Sequence, residues 1–129
     1  MSKEGDLARM TLDDASYGRW AEEAAVSFLK RRGYRIIDRN FRIRSGEIDI
    51  VASDGGTVAI IEVKARRRDD YGGPEGGLTP VKRRKITRVA EAYLAMKKVR
   101  ADVRFDVVFV RGTIENPLIE LIQNAFDAE

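Results

Sequence analysis

Apolar and polar residues follow two different periods along this chain, and the change of period separates helices from strands. Apolar side chains recur at helical spacing over residues 17–29 and again over residues 86–93. An alternation with a period of two predicts strands over residues 47–53, 57–65 and 103–110. Further strands are expected over residues 34–43 and, as a short last element, over 118–122.

Capping residues and glycines set the expected ends of these elements. Asp13 or Asp14 can cap the first helix, and Gly33 ends it. Thr79 and Pro80 suit the N-cap and the first position of a second helix that runs to about residue 98. Residues 1–13 are expected to be a flexible N-terminus, and the glycine-rich stretch 72–77 is expected to be a mobile loop.

The predicted order is therefore α-β-β-β-α-β-(β). This order is typical of an α/β protein with a mixed sheet flanked by helices. We expect a single domain over residues 1–129, because the length matches one domain and 43% hydrophobic residues suffice for one core.

The second and third strands form a predicted hairpin that carries charged residues. If Gly55 and Gly56 are its two loop residues, Asp49 lies directly opposite Glu62. Glu47, Asp49, Glu62 and Lys64 would then share one face, with the opposed acids about 4.5–5.5 Å apart at Cβ. A three-residue loop would shift the register by one and separate them.

Opposed carboxylates destabilise a sheet unless something compensates their charge. A divalent cation would do so, and Mg²⁺ binds through one or two carboxylates together with waters and phosphate oxygens. The hairpin is then half of a metal site. An ordinary amphipathic hairpin with solvent-facing charges, one of them neutralised by Lys64, has the same sequence pattern.

Composition excludes several kinds of chemistry. The chain has no cysteine and no histidine, so disulfides, the common zinc sites, and Ser-His-Asp or Cys-His catalysis are excluded. Carboxylates, Lys, Tyr, Ser or a metal ion must carry any reaction. A bilayer-spanning apolar run and a signal peptide are both missing from the sequence, so we expect a cytoplasmic protein with no membrane partner.

Basic residues concentrate in the middle of the chain although the net charge is only +3. Residues 30–44 carry seven basic side chains against one acidic, and residues 64–88 carry nine against three. Such an uneven distribution favours a polyanion, most commonly nucleic acid, although it also fits a solvated surface. Lys82, Arg83, Arg84 and Lys85 crowd the start of the second helix, where the helix dipole disfavours cations and where phosphate binds well.

Several motifs taken together resemble a known family. They are listed here in chain order: Gly18-x-x-Ala21-Glu22-x-x-Ala25, Gly33-Tyr34, Gly46-Glu47-Ile48-Asp49-Ile50-Val51-Ala52, Glu62-Val63-Lys64, Thr79-Pro80-x-Lys82 and Asn124-Ala125-Phe126. The chain is similar to the YraN-like uncharacterised family of the PD-(D/E)xK nuclease superfamily, and through it to archaeal Holliday junction resolvases. Ile48 stands where the superfamily usually has proline, a departure that the family tolerates.

The resemblance implies a restriction-endonuclease-like core and a metal-dependent nuclease acting on structured or branched DNA. By resemblance, Asp49 and Glu62 would bind Mg²⁺ or Mn²⁺, Lys64 would be the catalytic lysine, and Glu22 would complete the site. Arg66, Arg67, Lys82, Arg83, Arg84 and Lys85 would bind the nucleic acid backbone. A homodimer is a further expectation, because junction resolvases cut two strands.

Some assignments stay open at the level of sequence. Glu23 competes with Glu22 if the first helix is rotated, and Glu47 is either a third ligand or a hydrogen-bond partner. Asp106 alternates away from Phe105 and Val107, so we expect it at the surface or behind the site. The alternatives to an enzyme are a nuclease fold that binds nucleic acid without cutting it, and a basic protein associated with RNA or the ribosome.

Overall fold

The computed structural model describes residues 12–67 and 78–128. Its elements, in chain order, are α1 (Asp14–Arg31), β1 (Arg35–Ile43), β2 (Gly46–Asp54), β3 (Thr57–Arg66), α2 (Pro80–Lys97), β4 (Val103–Gly112) and β5 (Pro117–Phe126). The predicted order and the α/β class are confirmed. The last strand has ten residues and is therefore longer than expected. The loop predicted over 72–77 and most of the N-terminus predicted as flexible lie outside the described residues.

The two helices begin at the residues that the sequence indicates. Asp13 caps α1, because its carboxylate accepts a hydrogen bond from the backbone N–H of Ser16 at 2.7 Å. Thr79 caps α2 in the same way through the N–H of Lys82, and Pro80 occupies the first turn. No helix in the described ranges is long and apolar enough to cross a bilayer.

The five strands form one mixed sheet in the order β1-β2-β3-β4-β5. Only β3 and β4 pair in parallel, and α2 is the crossover between them. The turn between β2 and β3 has positive φ at Gly55 and Gly56, as the predicted two-residue loop requires. The predicted register is observed from the pair Asp54 and Thr57 to the pair Ile50 and Ile61.

Each face of the sheet packs against one helix, and each contact buries its own cluster of apolar side chains. The cluster under α1 includes Ala25, Leu29, Ile50, Ile61 and Val108. The cluster under α2 includes Ile48, Ile60, Val89, Tyr93 and Val107. The sheet is thus a buried layer between two helices, and its side chains can reach two different environments.

The surface position considered for Asp106 is wrong, because its side chain is fully buried. Asp106 lies on β4, which is covered on both faces and lies between β3 and β5. The alternation of apolar and polar residues therefore does not indicate which side chains of β4 are exposed. Its carboxylate accepts hydrogen bonds from the Arg104 guanidinium, from the Tyr34 hydroxyl at 2.9 Å and from the Asn124 N–H at 2.9 Å. Asp106 is therefore the centre of a satisfied polar network that joins β4 to β5.

We expect Asp106→Ala to destabilise the fold by about 3 kcal/mol, because it leaves the partners of a buried carboxylate without an acceptor. Chemical denaturation measures this change. The matched control is Asp102→Ala, which removes an exposed carboxylate just before the same strand. A loss no larger than that of the control would contradict the structural role assigned to the network.

Candidate active site

The two strands of the central hairpin separate before their ends, and the candidate site lies where they separate. The recorded pairing of β2 with β3 ends at Ile50 and Ile61. Beyond that point β2 continues along β1, where Glu47 pairs with Arg42, and β3 continues along β4. Asp49 and Glu62 occupy the first positions past the last pair, and we call this place the fork.

Asp49 replaces a backbone group in the hydrogen bonding of the fork. Its carboxylate accepts the N–H of Val63 at 2.8 Å, a donor that a regular ladder would give to a carbonyl oxygen. Ile48 packs in the cluster under α2 whereas Ile50 packs in the cluster under α1. The usual alternation of faces therefore breaks at Asp49.

The two carboxyl groups of the fork influence each other strongly. Burial and the nearby Glu62 carboxylate together raise the pKa of Asp49 to about 8, against the effect of the Val63 hydrogen bond. Burial also raises the pKa of Glu62, which the charges of Lys82 and Lys64 oppose. A hydrogen bond from the Asp49 carboxyl group to Glu62 lowers the pKa of Glu62. At neutral pH this pair holds a proton unless a cation takes its place.

Lys64 lies beside Glu62 on the same strand, and burial, together with the charges of Arg66 and Lys82, lowers its pKa. Val63 and Ala65 line a cavity on the α1 side of the sheet. Successive residues of a strand lie on opposite faces, so the side chains of Glu62 and Lys64 lie on the α2 side. The single shared face predicted for the four hairpin residues is therefore not observed. Glu47 and Asp49 belong to the cavity, and Glu62 and Lys64 face the start of α2.

The cavity on the α1 side has a volume of about 700 Å³. It lies between α1 and the first two strands, and its polar lining includes Glu22, Arg39, Asn40, Glu47 and Asp49. It opens directly on the fork. A water molecule, an ion or part of a substrate can therefore reach Asp49 from this side.

Glu22 is the acidic residue of α1 that is better placed to act at the fork. Its side chain is 17% exposed, and its charge raises the pKa of Asp49. Its Oε1 atom accepts hydrogen bonds from Arg39 at 3.2 Å and from Asn40 at 2.9 Å. Glu23 also pairs with Arg39, at 2.6 Å, but its side chain is 66% exposed.

Glu47 forms an ion pair with Arg42 on the neighbouring strand. This pairing gives Glu47 a partner other than a metal ion. Its charge still raises the pKa of both Asp49 and Glu62. Glu47 therefore adds to the negative potential of the fork.

A divalent cation fits the chemistry of the fork. Within residues 12–67 and 78–128, no group of three or more Asp, Glu, His or Cys side chains is arranged to hold a metal ion. Two carboxylates are enough for Mg²⁺, which keeps several waters and takes one or two protein carboxylates. Asp49 and Glu62 are desolvated and repel each other, so a cation between them would offset both effects. These two residues are the ones that could hold it.

The basic residues predicted to bind nucleic acid form two groups. Lys82, Arg84 and Lys85 are exposed at the start of α2, whose first turn contains no acidic residue, and the Arg83 guanidinium donates to the carbonyl of Leu78. Arg66 and Arg67 lie at the end of β3, where Arg67 stacks on the Tyr17 ring at 4.7 Å. The first group is thus presented to solvent next to Glu62, while the second also packs against α1.

Sequence reasoning missed three polar residues of β1 that line the cavity: Arg39, Asn40 and Arg42. Arg39 forms an ion pair with Glu22, and Arg42 forms one with Glu47. Asn40 adopts a left-handed backbone conformation with φ of 54°. The sequence signal for these contacts was weak, because a basic strand next to an acidic one only suggests pairing without giving partners.

Comparison with known proteins identifies the class of this chain. Residues 21–110 match the model of the family described as Uncharacterised protein family UPF0102. A UPF0102 protein of Desulfosudis oleivorans is 52% identical over 113 residues, covering 87% of this chain and 90% of that protein. A UPF0102 protein of Geobacter metallireducens is 44% identical over 119 residues, covering 92% and 98%. The chain belongs to the UPF0102 family.

A more distant likeness exists among solved structures. The crystal structure of a protein called SSO0001 is 16% identical, with a TM-score of 0.44, and the match covers 90% of this chain. It covers 55% of that protein, so the chain spans about half the length of SSO0001.

The proton held by the fork predicts how stability depends on pH without divalent ions. Because the folded-state pKa of Asp49 is raised above its ordinary value of 3.8, the contribution of this group to stability falls as the pH rises from 3.8 to about 8. Asp49→Asn mimics the protonated acid and keeps an acceptor for Val63. We expect it to be more stable than wild type at pH 8, by at most about 6 kcal/mol, with no difference below pH 3.8.

Thermal unfolding in the presence of a chelator, over a series of pH values, measures this difference. Glu120→Gln is the matched control, since it neutralises an exposed acid on β5. A melting temperature of Asp49→Asn that stays below that of wild type across the whole pH range would contradict the prediction.

Proposed function

We propose that this chain is a divalent-metal-dependent nuclease that hydrolyses phosphodiester bonds in structured or branched DNA. The observation that carries the proposal is the desolvated Asp49 and Glu62 pair at the fork, with Lys64 next to it. Burying two carboxylates side by side destabilises a fold, and a purely structural role would be served better by neutral side chains. Metal binding gives this arrangement a function.

A divalent ion and two further residues of the chain would carry out the reaction. A divalent ion held by Asp49 and Glu62 would supply Lewis-acid chemistry, acidifying a water and offsetting charge on the phosphate. Lys64 would hold a phosphate oxygen or the attacking water through its ammonium group, stabilising the charge that develops. Glu22, at the edge of the cavity, would accept a hydrogen bond from that water.

The exposed cations at the start of α2 would bind the phosphate backbone. Lys82 acts electrostatically on both Glu62 and Lys64, so this group adjoins the fork. Backbone contacts of this kind carry no sequence information, and they give an affinity that falls steeply with salt. Structure-selective DNA is therefore the proposed substrate class.

A second candidate function is a nuclease fold that binds nucleic acid without cutting it. One observation favours it: Glu22 and Glu47 are both engaged by arginines, which leaves two acids of the fork, among the described residues, for a metal ion. This candidate predicts binding that does not depend on Asp49 or Glu62 and is lost when the cations at the start of α2 are neutralised. An RNA-associated protein would behave in the same way with an RNA ligand.

Cleavage of a labelled panel tests the proposed reaction. With Mg²⁺ or Mn²⁺, we expect wild type to cut a four-way junction or a flap, and Asp49→Asn and Lys64→Ala to lose at least about a hundredfold in rate. Single-stranded DNA, duplex DNA and an RNA hairpin complete the panel. Lys97→Ala, at the far end of α2, is the matched control for Lys64→Ala. Binding without cleavage by all of these proteins would favour the second candidate instead.

Salt dependence tests the phosphate-binding role of α2. We expect the double variant Arg84→Ala and Lys85→Ala to lower the slope of log affinity against log salt by about two, one for each phosphate contact removed. Fluorescence anisotropy with a labelled junction measures the slope. Lys97→Ala combined with Arg100→Ala removes two exposed cations from the opposite end of the helix and should leave it unchanged. Equal slopes for the two double variants would refute the assignment.

A further inference from the structure

Asn40 departs from regular strand geometry at a particular place in the sheet. Its φ of 54° lies in the left-handed region, which Asn tolerates better than other residues with a side chain. The flanking residues pair normally, Arg39 with Ile50 and Phe41 with Ile48. The position opposite Asn40 in this register is Asp49. The two irregular residues of β1 and β2 therefore face each other beside the fork.

The side chain of Asn40 makes one contact that its unusual backbone allows. The carboxamide donates to Oε1 of Glu22 at 2.9 Å, connecting β1 to α1 across the cavity. Arg39 donates to the same oxygen at 3.2 Å. Because both donors end on Oε1, the other oxygen of Glu22 has no assigned donor among the described residues and can take one from a ligand.

We propose that Asn40 is a positioning residue that holds Glu22 for its part in the site, an inference that rests on the proposed function. The carboxamide donates a hydrogen bond without adding a charge, so it fixes Glu22 and does not neutralise it. Arg39 divides its guanidinium between Glu22 and Glu23, so it fixes the orientation of Glu22 less well. Hydrogen-bond partners of this kind typically change metal affinity or activity by 10- to 100-fold when they are removed.

The substitution Asn40→Gly tests the role of the side chain independently of the backbone conformation. Glycine accepts the left-handed conformation without strain, so the fold should keep its metal-free melting temperature while the bond to Glu22 is lost. Asn124 has a φ of 52° on β5 and makes no recorded contact with Glu22, so Asn124→Gly is the matched control for the same change of backbone freedom.

The measurement is the affinity for Mn²⁺ without nucleic acid, from calorimetry and from the rise in melting temperature. We expect binding about tenfold weaker in Asn40→Gly and unchanged in Asn124→Gly. Glu22→Gln should weaken it by a similar factor. The double variant Asn40→Gly with Glu22→Gln should be no worse than Glu22→Gln alone, because Asn40 acts through Glu22.

Two kinds of result would overturn the inference, and they differ in what they imply for the proposed function. Wild-type Mn²⁺ affinity in Asn40→Gly, or an additive loss in the double variant, removes the role of Asn40 and leaves the proposed function standing. Failure of wild type to bind Mn²⁺ at all removes both.

Discussion

The separation of β2 from β3 is the constraint on which the rest of this structure depends. A strand has two hydrogen-bonding edges, and past Ile50 and Ile61 these two strands follow β1 and β4 respectively. A backbone N–H without an acceptor inside the sheet would destabilise the fold. The Asp49 carboxylate accepts the hydrogen bond from the backbone N–H of Val63. One side chain therefore closes the hydrogen bonding of the sheet and brings an acidic group to the fork. A substitution at this position that removes the acceptor therefore affects both the sheet and the site.

The two sides of the fork differ in charge. On the α1 side, the acids Glu22 and Glu47 are each matched by an arginine of β1. On the α2 side, Glu62 meets two lysines and a helix start without acidic residues. The α2 side of the fork is therefore predominantly basic, while the α1 side has a polar cavity in which acids and arginines are paired. The sheet thus separates two surfaces of different charge.

Much of the fold could be predicted because local signals agree with it: caps at Asp13 and Thr79, and the glycine pair that sets the hairpin register. The burial of Asp106 could not be predicted, because the alternation of apolar and polar residues does not distinguish buried from exposed positions in a strand that is covered on both faces. The hairpin register as far as Ile50 and Ile61 followed from the loop, but the separation of the strands at Asp49 and Glu62 did not, since it arises from tertiary pairing. The left-handed conformation of Asn40 and its contact with Glu22 on α1 likewise could not be predicted, because Glu22 is distant in sequence.

The parallel pairing of β3 with β4 has a consequence for how the chain folds as it is made. The first three strands are neighbours in sequence, so their hairpins can form early. Val58 of β3 can pair with Val103 only after β4 has been synthesised. Until β4 is synthesised, β3 is an open edge that carries Ile60 and Ile61, two side chains that end up buried. Unpaired apolar edges of this kind associate with other chains. The ribosome-bound intermediate that lacks β4 is therefore the form of this protein most exposed to aggregation.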